Sequence, residues 1–394
     1  MITRKRYMEK LLKHKGRKVI KVVSGIRRCG KSTLLKMFAD NLVGNGAKAE
    51  QIVSINFEDT NFEHLLDYRE LHRYVESRLT KGGMTYVFLD EVQNVPMFQK
   101  AVDSLFLRDN IDIYITGSNA WLLSGELATL LSGRYVEINM LPLSFSEYME
   151  ASGGERRDAF RRYYKYGGFP YTAGIDDDEV VLDYLRGIYS TVLLKDIVAR
   201  KRINDVTLLE SIVRFLLDNT GSVVSSKKIA DSLTSNGRKT TSVSVENYIA
   251  ALRGAFVFCR AGRYDVKGRQ HLKSLEKYYA ADMGFRTLLL GDRNADTGHI
   301  LENIVYLELI RRGYSVSVGK SGEREIDFVA QSPSELAYYQ VAASVMDPAT
   351  LARELAPLKS LSDNYAKRIL TMDELTANHD GIETVNIIDF LLEG

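Results

Sequence analysis

The residues best placed to do chemistry lie between Val19 and Leu35, in the stretch VIKVVSGIRRCGKSTLL. Val19, Ile20, Val22 and Val23 read as a strand, and a helical pattern carrying Leu34, Leu35 and Phe38 starts at Thr33. Between them, Gly25-Ile26-Arg27-Arg28-Cys29-Gly30-Lys31-Ser32 has the spacing G-x-x-x-x-G-K-[ST]. A strand that stops at glycines and hands over to a helix N-terminus aims backbone N–H groups at one point, which suits a phosphate. Gly25 and Gly30 permit the backbone angles and the close approach that such a cradle needs. Lys31 is then the cation for the β- and γ-phosphates and Ser32 a hydroxyl ligand for Mg2+. Ile26, Arg27, Arg28, Cys29 and Thr33 complete the nucleotide-binding set, and ATP with Mg2+ is the implied ligand.

Magnesium held by Ser32 needs a carboxylate opposite it. The apolar run Tyr86 to Leu89 ends in Asp90-Glu91, the Walker B pattern. Asp90 is placed to hold the metal through a water, and Glu91 to polarise the attacking water. Ser118 and Asn119 follow the next strand, where a polar side chain can sense the γ-phosphate; a plain Gly-Ser-Asn turn is the other reading. Arg134, after Gly133, is either an arginine finger given to a neighbouring subunit or a surface arginine. Arg27 and Arg28 are closer to the phosphates and can supply charge within one chain.

These residues need a sheet whose strands end at one edge. From Val19 to about Leu143 strands and helices alternate, which implies a parallel sheet covered by helices on both faces. Strands are expected at 52–57 (followed by Glu58 and Asp59), 86–89, 111–116 and 134–139, and helices at 65–79, 98–107 and 122–131. Residues 1–18 read as a basic amphipathic helix with Tyr7, Met8, Leu11 and Leu12 on one side, packed on the core.

At 394 residues, two or three domains of about 150 residues are expected. The hydrophobic fraction of 45% and charged fraction of 26% are those of an ordinary globular protein. Net charge is +2, so any affinity for nucleic acid must come from a local patch. The two cysteines, Cys29 and Cys259, are far apart and suggest no disulfide framework, which fits a reducing cytoplasm. No apolar run approaches membrane-spanning length, and the basic N-terminus lacks the apolar core of a signal peptide.

The stretches GIRRCGKSTLL, YVFLDEVQ, ITGSNAWLLSGELATLLSGRYVEINMLPLSFSEY and YGGFP (Tyr166 to Pro170) resemble those of bacterial and archaeal AAA-superfamily ATP-binding proteins with a C-terminal domain of unknown function. The resemblance covers essentially the whole chain, and its specific motifs lie in the first half. It implies an AAA-type ATPase core related to the origin-recognition and archaeal ATPase branch, without an agreed cellular role.

Four segments are expected within this α/β protein: a P-loop AAA-type ATPase core at 1–143, a helical lid at 144–204, a winged helix-turn-helix at 205–273, and a restriction-endonuclease-like α/β domain at 274–394. In the lid, Arg186, Lys195 and Arg200 are equal candidates for a second sensor. In the third segment, three helices precede a hairpin read at 256–260 and 263–266. Ten basic residues between Lys227 and Lys273 face only Asp231, Glu246 and Asp265, a local excess of seven positive charges. That patch suits contacts to DNA phosphates, with the third helix in the major groove. The last segment carries Glu302 and Asp327. Where a metal-dependent nuclease has Glu-x-Lys, this chain has Gln340-Val341-Ala342, so loss of phosphodiester cleavage is expected. Glu302 and Asp327 are then structural, for instance pairing Arg324. The functional expectation is Mg-dependent ATP hydrolysis coupled to DNA, with homo-oligomer formation compatible with Arg134 acting in trans and no membrane association. The alternatives are a nucleotide-dependent switch for a protein partner and an ATP-gated nuclease.

Overall fold

The computed structural model describes residues 2–118, 131, 133–198, 203, 205–268, 270–292, 297–374 and 376–393, with the side chains of residues 195 and 272–274 set aside. Contacts divide the chain into two compact units, Met1–Met140 with Gly254–Phe256, and Leu141–Arg253 with Val257–Gly394.

The first unit opens with α1 (Lys5–His14), whose Tyr7 and Leu11 are buried. Leu12, expected on the same side, is 44% exposed, because one residue advances about 100° around a helix and carries it off that face. Then follow β1 (Ile20–Ser24), α2 (Lys31–Gly44), β2 (Ile52–Asn56), α3 (Tyr68–Glu76), β3 (Thr85–Asp90), α4 (Phe98–Phe106), β4 (Ile111–Gly117) and β5 (Tyr135–Asn139). The helix expected at 65–79 is shorter, because Asp67 accepts from the N–H groups of Arg69 and Glu70 and so starts α3. The helix expected at 122–131 lies almost wholly outside the described residues.

The five strands form one parallel sheet in the order β2-β3-β4-β1-β5. Every residue of β1, β3 and β4 is buried, as expected for strands covered on both faces. One face packs Ile55, Val87, Leu89, Ile113 and Ile115 into an aliphatic core. On the other, the Phe88 and Tyr114 rings stack at 4.9 Å, with Phe38 of α2 at 5.1 Å from Tyr114. Lys21, in the middle of β1, is fully buried and ion-paired with Asp112 of β4. Removing either partner would strand a buried charge.

The second unit begins with α5 (Phe145–Ser152), α6 (Arg156–Tyr166) and α7 (Asp178–Thr191), which continues into a π-helical turn at Val192–Val198. It continues through α8 (Val206–Asp218), β6 (Val223–Val224), α9 (Ser226–Ser235), α10 (Ser242–Gly254), β7 (Phe258–Asp265), β8 (Gln270–Ala280), α11 (Gly284–Leu290) and α12 (Thr297–Arg311). Its last elements are β9 (Ser315–Ser321), β10 (Arg324–Gln331), β11 (Leu336–Ala342), α13 (Pro348–Lys359), β12 (Ala366–Thr371), β13 (Ala377–His379), β14 (Ile382–Asn386) and α14 (Ile387–Leu392). One nine-stranded mixed sheet runs β13-β14-β12-β11-β10-β9-β7-β8-β6.

The hairpin differs from the expected one. Residues 258–265 are a single strand with a register shift between Ala261 and Arg263, so Gly262 sits at an irregularity rather than a turn. The chain turns after Asp265, whose carboxylate accepts from the N–H groups of Lys267 and Gly268, and returns as β8. The boundary expected at 273 therefore falls inside β8. In addition, Arg263 to Asp265 pair in parallel with Val318 to Lys320, so the hairpin is continuous with the rest of the sheet. No helix among the described residues is long and apolar enough to cross a membrane.

Candidate active site

All five strands of the first unit end at one edge of its sheet, and the Gly25–Ser32 loop leaves β1 there. Gly25 has φ +150, and a Cβ on it would lie 2.1 Å from the Met140 carbonyl oxygen, so only glycine fits. Gly30 caps α2 with φ +105, which turns the loop into the helix. The loop is braced from two sides. The Cys29 thiol donates to the Met140 carbonyl at 3.4 Å, and burial pushes its pKa up. Arg4, just before α1, donates from its guanidinium to the Cys29 carbonyl at 3.0 Å. Lys31 is 4% exposed; its ammonium donates to the Gly25 and Ile26 carbonyls at 3.0 and 3.2 Å and lies 3.9 Å from Glu91 Oε1.

The register of the sheet sets the acidic residues. Leu89 pairs with Ile115, so Asp90 falls beside Thr116. Thr116 donates its hydroxyl hydrogen to Asp90 Oδ1 and accepts from the Glu91 N–H at 2.9 Å, holding both acids with one oxygen. Asp90 also takes a hydrogen bond from Ser32. Burial raises the Asp90 carboxyl above its ordinary range, and the Thr116 and Ser32 bonds oppose that rise. Glu91 adopts φ +54, unusual for a residue with a side chain. Its Oε2 accepts from the Ser118 hydroxyl at 3.0 Å and from the Gln93 amide.

The donor set fits Mg-nucleotide. A glycine cradle, a buried ammonium and a hydroxyl–carboxylate pair at one sheet edge match what phosphates and a hard cation need. The structure brings Lys31, Ser32, Asp90, Glu91 and Ser118 together. Ile26 is buried in the loop, and Thr33 is exposed in the first turn of α2. Arg27 pairs with Glu58, and Arg28 is exposed with φ +67. Asn119 lies outside the described residues.

Arg134 does not join this group within its own chain. Its carbonyl accepts from the Ile20 N–H at 2.9 Å, which puts it at the start of β1, whereas the loop leaves the other end. A strand of that length separates the two by roughly 16 Å at about 3.3 Å per residue. The Arg134 guanidinium instead lies 5.7 Å from the Phe106 ring centre. Sequence reasoning missed Thr116 and Gln93. The alternation of side chains along β4 was the available signal for Thr116, which is two residues on from buried Tyr114.

In the second unit, Arg186 pairs with Asp183 on its own helix. The Arg200 position and the Lys195 side chain lie outside the described residues. The turn after Tyr166 is latched by Asp282, which accepts from the N–H groups of Gly168 and Gly284 at 2.7 and 2.8 Å. Burial pushes the Asp282 carboxyl up to about 7.

Arg324 is not the partner of Glu302 and Asp327; it donates to the Ala356 carbonyl. The cation is Lys277, delivered by β8, with its ammonium 3.0 Å from Glu302 and 2.8 Å from Glu325. Burial works against the ionised Glu302, but Lys277 and the Tyr279 hydroxyl, which donates at 2.6 Å, hold its pKa below the ordinary value. Asp327 accepts from the Val341 N–H at 2.8 Å, and Gln340 accepts from the Asp327 N–H while donating to Glu354. Burial first, and then the Glu302 charge, push the Asp327 carboxyl up to about 8.

That shift has a measurable consequence. Between the ordinary carboxyl pKa of about 4 and the shifted one, the folded chain holds a proton that the unfolded chain has released, so stability falls as pH rises. Asp327→Asn, which keeps an acceptor for Val341, removes that proton linkage. Its melting temperature, relative to the parent's, is expected to improve from pH 5 to about pH 8 and to level off above that. A difference independent of pH would contradict the assignment.

Comparison with known proteins agrees with this geometry. A family model described as an AAA domain matches residues 17–149, and one described as a domain of unknown function matches residues 157–296. An uncharacterized protein of Haemophilus influenzae is 39% identical over 400 residues, covering 100% of this chain and 99% of that protein. An uncharacterized protein of Methanocaldococcus jannaschii is 28% identical, covering 94% of this chain and 85% of that protein. Among solved structures, a Walker-type ATPase of Pyrococcus abyssi superposes with a TM-score of 0.53 at 17% identity, covering 74% of this chain and 96% of that one, which shows a shared fold. Residues 17–149 match an AAA domain and share the fold of a Walker-type ATPase, and the chain belongs to the family of the Haemophilus protein.

Proposed function

We propose that the chain hydrolyses ATP with Mg2+ and couples the reaction to DNA through its second unit. The observation that carries the hydrolysis reading is the meeting of Lys31, the Ser32–Asp90 pair and Glu91 at one edge of the sheet. Lys31 gives up the Gly25 and Ile26 carbonyls for β- and γ-phosphate oxygens. Ser32, and Asp90 through a water, would hold the cation, which would neutralise developing phosphate charge. Glu91 takes the proton of the attacking water.

The DNA reading rests on three helices followed by a hairpin, the order of a winged helix-turn-helix, with β6 pairing onto β8. Lys227, Lys228, Arg238, Lys239 and Arg253 are exposed on that segment. Duplex affinity is expected to fall linearly in log–log form with salt, by about 0.9 per phosphate contact. Replacing Arg238 and Lys239 with alanine should reduce that slope by about 2. A flat salt dependence, or no binding, would instead support a nucleotide-dependent switch for a protein partner. One observation favours that second reading: the hairpin is already paired along β9 and is not a free wing.

We also read the carboxyl-terminal segment as a restriction-endonuclease-like domain that has lost cleavage. Gln340 and Ala342 support this, and so does the Lys277 ammonium seated between Glu302 and Glu325.

A further inference from the structure

We propose that Gln93 is a positioning residue for hydrolysis: its amide N–H fixes one oxygen of Glu91, and its amide carbonyl accepts a hydrogen bond from the attacking water. This rests on Glu91 acting as the base. The two oxygens of Glu91 stand in different surroundings. Oε2 accepts from Gln93 Nε2 and from the Ser118 hydroxyl, while Oε1 faces the Lys31 ammonium at 3.9 Å. The carboxylate can only accept, so Gln93 must turn its NH2 toward it and its carbonyl away. That carbonyl oxygen, Gln93 Oε1, is buried and has no hydrogen-bond partner among the described residues. A buried acceptor left unsatisfied is costly, which calls for a donor that arrives with the reaction.

A water in the site is such a donor. It has two protons to place, and Glu91 Oε1 can take only one. Gln93 and Glu91 sit on the same short turn, Val92–Asn94 being a single 3-10 turn that Glu91 caps in a left-handed conformation. Backbone conformations of that kind persist where surrounding structure holds them, often at reacting groups. In the step, the water oxygen bonds to the γ-phosphorus as the bond from phosphorus to the β-γ bridging oxygen breaks. The electron pair of that bond leaves on the β-phosphate. One water proton passes to Glu91 Oε1, and the other stays on the oxygen, hydrogen-bonded to Gln93 Oε1.

Gln93→Met keeps length and volume and removes both hydrogen bonds. In the full chain its kcat is expected to fall at least tenfold, with the affinity for a non-hydrolysable ATP analogue within about twofold of the parent's. In a Glu91→Gln background the same substitution should cost no further activity in single-turnover measurements, since residues that act as a unit are not additive. A Gln93→Met kcat within twofold of the parent's would overturn the proposal, as would an equal loss of analogue affinity or a full loss repeated in the Glu91→Gln background. If Glu91→Gln itself turns over at the parent rate, the base assignment fails and the proposal with it. If Glu91→Gln is inactive and Gln93→Met is not impaired, only the proposal fails.

Discussion

Lys31→Met is expected to weaken ATP binding at least 100-fold, about 3 kcal/mol, as read by titration with a fluorescent nucleotide. The ammonium is buried, and its acceptors are two carbonyls of the loop it serves. Phosphate oxygens make better acceptors, because they add the attraction of an opposite charge to the ammonium's hydrogen bonds. The loop's own two arginines do not take its place. Arg27 is engaged with Glu58, and Arg28 points to solvent. Methionine retains the methylene packing, so the melting temperature should move little. Affinity within a few-fold of the parent's would mean that the backbone cradle alone holds the phosphates.

Glu91→Gln is expected to bind ATP as the parent does and to lose turnover by 10²–10⁴-fold, the usual contribution of a positioned general base. The substitution preserves shape, and the amide carbonyl still accepts from Ser118. It removes the group proposed to take the proton. It also removes the charge beside Lys31, so binding should hold steady or tighten slightly. Phosphate release at the parent rate would remove Glu91 from the role of base and point to water activation by the substrate itself.

Much of this site can be read from residue types, for a physical reason. A phosphate cradle needs glycine at positions where only glycine fits, and the clash that a Cβ at Gly25 would make with Met140 is the steric form of that requirement. The parallel sheet is legible too, because strands buried on both faces become unbroken apolar runs such as YVFL. Lys21 interrupts such a run and gives no sign of being buried, since its partner Asp112 is 91 residues away in sequence.

What the residues alone leave open is register. Whether Thr116 or Ser118 meets the acids depends on Leu89 standing opposite Ile115, a long-range pairing. The hairpin turns later than its sequence implies, because Gly262 looks like a turn and is an irregularity within a strand. Lys277 is hidden in the sequence for the same reason as Thr116. It reaches Glu302 only because β8 runs back beside β7 and carries it across the sheet. Arg134 lies at the far edge of the sheet from the loop of its own chain, so the arginine-finger reading requires a neighbouring subunit's site.

The central claim, that this loop and these acids hydrolyse ATP, is tested most directly by phosphate release from the unaltered chain. Release would be followed across protein concentration, with Mg2+ and with a chelator in its place. Saturable release with Mg2+, abolished by the chelator, is the predicted result. A chain that binds ATP tightly yet releases no phosphate at any protein concentration, with or without duplex DNA present, would contradict it.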